Sequence, residues 1–392
     1  MKKSIFIFLI ASSLLFAQKK QKMSELIDQQ FHFAAKQYGV LANNIAPDVM
    51  PKTFIYAKNK VETSDTKWWT SGFYPGSLLY IYEYTKNPDI KAEAEKRMAI
   101  LEKEKHYTGN HDLGFMMYCS FGNAYRLFNK PQDKATIDTS AMSLATRYRP
   151  SIKAIQSWDS NEVLKCPVII DNMMNLEMLC WVSDNGGDKK FKDIAITHAN
   201  TTLKTHFRYD YSSYHLVDYD LQTGKIIKKI TWQGLADSSA WARGQGWGLY
   251  GFTMMYRFTK DKNYLEQAKK IATFLINHPN LPADKIPYWD YNAENTPTQY
   301  RDASAGALIA SALLELGQFT SGKEKKIYVS TAETMLRSLA SDKYRAKLGE
   351  NGGFLLLHSV GHMPNKTEID VPLTYADYYY LEALLRYKNW YL

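Results

Sequence analysis

Two kinds of segment alternate along the chain. Six stretches open on a small or polar residue and then run apolar on nearly every face, starting near Gly72, Gly114, Asp171, Gly244, Ala303 and Ala376. The clearest is 168–181, where three aliphatics and Asp171 lead into a run of good helix formers. A helix that is apolar all round belongs inside a protein. Between these stretches lie segments with a single apolar stripe: 89–101, 135–148, 188–205, 264–276 and 323–339. Residues 24–41 show the same helical spacing at Leu26, Ile27, Phe31, Phe33, Ala34 and Tyr38. Alternation of this kind predicts an all-α (α/α)6 barrel, with six inner helices ringed by six outer ones. The one clear strand signal pairs 214–219 with 225–228 around Gln222-Thr223-Gly224, a hairpin expected to form a flap over a site. No Gly/Ser linker divides the chain, so residues 24–392 are expected to form a single domain.

Composition changes this picture in only a few ways. Lys2-Lys3, the apolar run Ser4 to Phe16 and Ala17 read as a signal peptide over residues 1–17. The run is too short for a stable bilayer span, so no membrane insertion is expected after its removal. This places the mature protein in the periplasm or outside the cell. The formal charge is +9, or +7 without the two leader lysines. Basic residues are dispersed, which excludes a nucleic-acid-binding patch. The excess either serves solubility or gathers an anionic small substrate. Three cysteines in apolar surroundings form no disulfide framework and are expected to pack.

The candidate chemistry follows from elimination. His-Glu-x-x-His and zinc-type Cys spacings are absent, as are Gly-x-Gly-x-x-Gly, Walker and Gly-x-Ser-x-Gly patterns. No metal and no cofactor are therefore expected, which leaves carboxylates. Asp112 and Asp171 open successive inner helices and would be neighbours at one rim of the barrel. Two close carboxylates do not ionise together easily, so one becomes an acid near neutral pH. The alternative for Asp171 is a helix cap. Asp237, Asp290, Asp302 and Asp377 read as caps or loop anchors. Trp69, Trp158, Trp241 and Trp247 form a cluster at loops and helix starts suited to stacking on sugar rings. Arg243, between two tryptophans, would bind a uronate carboxylate bidentately. His215 and Gln233 flank the same connection.

These residues resemble a known family. Segments 111–115, 168–181, 212–215, 241–251, 300–305 and 375–384 are similar, in order, to those of the unsaturated glucuronyl hydrolases, glycoside hydrolase family 88. The combination of Arg-Gly-Gln-x-Trp with Asp-x-x-x-Asn-Leu is specific, and the resemblance spreads over nearly the whole mature chain. It implies an (α/α)6 barrel and removal of a Δ4,5-unsaturated uronate from the non-reducing end of oligosaccharides made by polysaccharide lyases. It further implies vinyl-ether hydration, with Asp171 as general acid and base and Asp112 as the second essential acid. Trp69, Trp158, His215, Gln233, Trp241, Arg243 and Trp247 match residues lining the subsite of the unsaturated sugar. Ser359 and Lys366 match a segment near the next sugar, read as a loop that either contacts a sulfate or is merely solvated. Gly246 departs from the family's usual Ala. Two alternatives stay open: an unsaturated rhamnogalacturonyl hydrolase on the same fold, disfavoured by Gln245, and a non-catalytic glycan-binding protein, disfavoured by the presence of both aspartates.

Overall fold

Whether a helix is apolar on one side or on all sides decides where it lies. In the computed structural model, which describes residues 21–392, the leader expected at 1–17 lies outside the described residues. The outer layer consists of α1 (Met23–Asn43), α3 (Pro88–Leu101), α5 (Pro131–Ala145), α7 (Lys190–Thr205), α9 (Lys262–Asn277) and α11 (Gly322–Leu339). The inner layer consists of α2 (Phe73–Thr85), a π-helix at Gly114–Gly122 that continues as α4 (Asn123–Phe128), α6 (Asn172–Asp184), α8 (Ala242–Thr259), α10 (Ala303–Gln318) and α12 (Thr374–Tyr391).

The contrast is plain in two neighbours. α9 buries Tyr264, Gln267, Ala268, Ile271, Ala272 and Leu275, one stripe at three- and four-residue spacing, whereas α10 buries every residue from Ala303 to Gly317. The inner helices pack in a closed ring: α2, the π-helix, α6, α8, α10, α12 and back to α2. Each outer helix covers an inner one, and the main apolar core extends from Met23 to Tyr387, with two small clusters around the strands that line the connections. Helix starts are set locally. Pro88 and Pro131 occupy first-turn positions, where a missing N–H costs nothing, and Asp261 and Asp302 cap α9 and α10 with their side chains.

Strands are short and decorate the connections. β1 (Met50–Ile55) pairs with β2 (Lys60–Ser64), and β3 (Tyr148–Arg149) with β4 (Ala154–Ile155). β5 (Pro167–Ile169), β6 (Leu216–Tyr219) and β7 (Ile226–Ile230) form an antiparallel sheet. β8 (Ser359–His362) pairs with β9 (Thr367–Val371). The hairpin expected from the sequence is thus β6–β7, joined by β5 as an unforeseen third strand. The segment 359–366, read as a loop, is half of the β8–β9 hairpin. Among the described residues no helix is long and apolar enough to cross a membrane.

Candidate active site

All the inner helices begin at the same mouth of the barrel, because the side chains at their starts touch. Trp69, just before α2, packs its ring 5.5 Å from Phe115 and 5.0 Å from Tyr375 at the start of α12. The Arg243 guanidinium at the start of α8 lies 5.0 Å from the Tyr375 ring. This mouth therefore collects the positive ends of the inner-helix dipoles.

Asp171 stands where α6 begins but does not cap it: its backbone is already helical and its side chain accepts no capping bond. The carboxylate is 7% exposed, and its Oδ2 has no hydrogen-bond partner. Nε2 of His215 lies 3.4 Å away, also without a partner. The backbone N–H groups of Trp232 and Gln233 donate to Nδ1 of His215, at 3.2 and 3.1 Å. A ring nitrogen that accepts carries no proton, so in the neutral imidazole Nε2 bears the hydrogen and faces Asp171. Strand pairing makes this juxtaposition. Ile169 of β5 lies opposite Leu216 of β6, and Ile170 N donates to the His215 carbonyl at 3.0 Å. His215 is the next residue out from β6, opposite Ile170, and Asp171 follows Ile170 directly.

Asp112 precedes the π-helix, and its backbone N–H donates to Asn110 Oδ1. Burial raises its pKa; His111 and Arg147 oppose that, and the charge of Asp171 adds to it. The two aspartates therefore sense one another across neighbouring inner helices. Gly114 permits the approach, since a Cβ there would sit 2.5 Å from Cα of Asn175 on α6. Asn175 in turn accepts from Phe115 N at 3.0 Å and supports the first turn of the π-helix. Wide turns of this kind recur at functional sites. His111, which sequence reasoning quoted only as part of a motif, is buried with Nε2 3.4 Å from Asp112 Oδ1.

The remaining predicted residues divide. Trp241 is buried, with its ring 4.5 Å from that of His215. Trp158 is half-buried and pairs with Trp232 at 6.1 Å, so Trp232, 39% exposed, extends the aromatic wall. Gln233 donates to the Gly361 carbonyl at 2.8 Å and ties the β6–β7 connection to the β8–β9 hairpin. Gln245 is buried; its amide donates to the Ser213 carbonyl and accepts from Ser213 N, clamping the segment that delivers His215.

Three expectations change. Both terminal amines of Arg243 are engaged, with Asp302 at 3.1 Å and the carbonyls of Val360 and Gly361 at 2.6 and 2.7 Å, so they are not free to grip a substrate carboxylate bidentately. Arg243 instead anchors β8 to the rim. Trp247 is fully buried between Phe115 and Tyr379, which removes its faces from sugar stacking, although its indole N–H has no partner. Ser359 is fully buried and its hydroxyl accepts from Ser304 N, which withdraws it from any sulfate. Lys366 is exposed on the turn of the β8–β9 hairpin and is the member of that pair still open to a ligand. Asp290, Asp302 and Asp377 are all engaged by backbone N–H groups, as loop anchors and caps should be.

A buried carboxylate with an unpaired oxygen, beside indole faces at one mouth of an (α/α)6 barrel, equips a protein for acid–base chemistry on a sugar; the class it defines is that of the glycoside hydrolases. Sequence comparison supplies the family: residues 46–391 match Glycosyl Hydrolase Family 88, and the chain belongs to it. An unsaturated glucuronyl hydrolase of Formosa agariphila is 42% identical over 95% of this chain and 93% of its own length. An unsaturated chondroitin disaccharide hydrolase of Streptococcus pyogenes is 34% identical, over 85% and 84% respectively. Among solved structures, an unsaturated glucuronyl hydrolase specific for heparin superposes with a TM-score of 0.90 at 45% identity, over 93% of this chain and 98% of that one.

Proposed function

We propose that the protein removes the Δ4,5-unsaturated uronate from the non-reducing end of lyase-generated oligosaccharides by hydrating its C4=C5 bond. The observation that carries this reading is the split environment of Asp171. Its Oδ2 is buried towards the His215 Nε2–H, while Oδ1 makes no hydrogen bond among the described residues. Oδ1 is the oxygen that delivers a proton to C4. Positive charge then develops at C5 and is shared with the ring oxygen. Asp171, now ionised, takes a proton from the water that attacks C5. The resulting hemiketal opens and releases the aglycone, so no separate acid is needed for the leaving group. His215, held in one tautomer by two backbone N–H groups, orients the carboxylate throughout. Asp112, whose pKa burial and the neighbouring Asp171 raise, lies beside Asp171 where it can bond a sugar hydroxyl. The substrate carboxylate meets the positive ends of the inner helices, where an anion is stabilised.

The names of the relatives support glycosaminoglycan-type substrates. The test is a panel of lyase products from chondroitin, hyaluronan and heparin, followed by the ultraviolet absorbance of the conjugated double bond. Loss of absorbance on at least one disaccharide is expected, and the fastest identifies the polymer. Folded protein that leaves every member of the panel unchanged would overturn the reading.

A further inference from the structure

The opposite mouth of the barrel holds a second cavity, of about 550 Å³, where the inner helices end. Such a volume is in the range of small-molecule sites, roughly 300–1,000 Å³. Its entrance is formed by Arg126, Asn185, Asn389 and Trp390, all exposed, and its floor by Gly114, Phe115 and Met174. The Phe115 ring packs 5.1 Å from Trp247 and 5.5 Å from Trp69, so an aromatic plug separates this cavity from the acid rim.

The wall presents a flat aromatic face and unused polar atoms together. Trp181 is half-buried and braced by Tyr118 at 5.9 Å and Tyr125 at 5.4 Å. Both amines of Arg257 donate to Oε1 of Glu177 at 2.9 Å, which leaves Oε2 without a hydrogen bond in the protein. The Tyr118 hydroxyl and the Trp181 indole N–H are likewise unused among the described residues. A rigid indole face suits the C–H face of a pyranose, while a carboxylate oxygen, a phenol and the amides of Asn185 and Asn389 suit its hydroxyls.

Charge narrows the ligand further. Three carboxylates of the wall, Glu83, Glu177 and Glu382, are paired one to one with three guanidiniums, Arg126, Arg257 and Arg386. These charges balance, and the negative ends of the inner-helix dipoles remain, so an anion is disfavoured. The three guanidiniums in the wall repel a cation. We infer that this mouth is a second saccharide site, taking an uncharged sugar of one or two rings, distinct from the acid rim and closed off from it by Phe115.

The test is calorimetric titration with N-acetylglucosamine, N-acetylgalactosamine, cellobiose and glucuronate, using wild type, Asp171→Asn, Glu177→Gln and Trp181→Ala. At least one neutral sugar is expected to bind wild type and Asp171→Asn equally. Binding should weaken about tenfold or more in Glu177→Gln, as loss of a charged hydrogen-bond acceptor predicts. The same weakening is expected in Trp181→Ala, and glucuronate should not compete. Glu177→Gln, nearly isosteric, keeps the test valid should the larger truncation fail to fold. No neutral-sugar binding up to about 20 mM, below which even weak small-ligand affinities register, would overturn the proposal. So would binding unchanged in both rear variants, or displacement of the sugar by glucuronate.

Discussion

Asp171 and Glu382 are equally buried, at 7% exposure, on the same inner ring of helices, yet they have opposite surroundings. Glu382, at the rear mouth, accepts from Tyr250, Ser311 and Tyr80 and lies 3.1 Å from Arg386. Asp171, at the front, has one oxygen facing His215 without a formed bond and the other without a hydrogen bond among the described residues. Titration separates Glu315 from Asp112 in the same sense. At the rear, burial would raise the Glu315 pKa, but Arg257 and Arg386 outweigh it and the carboxyl lies below its ordinary value. At the front, burial dominates at Asp112, and the nearby Asp171 charge raises it further. A buried carboxylate answered by arginines holds a barrel together; one left unanswered costs stability and is available for chemistry.

The largest break in this comparison is Asp171→Asn. Removing a general acid–base group lowers kcat by about 10²–10⁴-fold. Because the side chain forms no cap and no arginine or lysine pairs with it among the described residues, thermal unfolding should show an unchanged or higher Tm. Arg386→Met does the reverse. It strands Glu382 and leaves Glu315 with Arg257 alone, and denaturant unfolding should report a loss of about 3–5 kcal/mol, with kcat of the folded protein retained.

A smaller effect separates the two ends by pH. A carboxyl with a raised native pKa contributes stability below its unfolded value and loses it as pH rises through the native one. Asp112→Asn should therefore raise Tm at neutral pH, with the gain vanishing below the ordinary carboxylate range. Glu315, with its lowered pKa, contributes stability above its unfolded value and loses it on acidification. Glu315→Gln should accordingly lower Tm at neutral pH, and the deficit should close as pH falls. Tm measured against pH checks both signs. Smallest of all is Gly246→Ala. The added Cβ would lie 2.8 Å from the end of the Leu308 side chain, which can shift, so the cost stays below about 1.5 kcal/mol and is partly offset by better helix propensity.

The ring of helices was legible because inner and outer segments differ in periodicity, and α10 and α9 show that difference at its clearest. Asp112 and Asp171 were legible because each opens an apolar run. Their partners were less so. β5 is three residues long and carries no alternation, so nothing in the sequence announced that it would pair with β6 and bring His215 to Asp171. The role of Arg243 depends on Asp302, 59 positions away, and on the carbonyls of a hairpin more distant still. Trp247 was misjudged despite a usable signal: it lies within a helix apolar all round, where burial is the rule.

The most direct test of the account follows the reaction in D₂O by NMR. If Asp171 protonates C4, the first released sugar carries one deuterium at C4 and no longer holds the double bond, and Asp171→Asn forms none of it. Release of the unsaturated sugar with its double bond intact and no deuterium at C4 would mean displacement at the anomeric carbon, and would contradict the role assigned to Asp171.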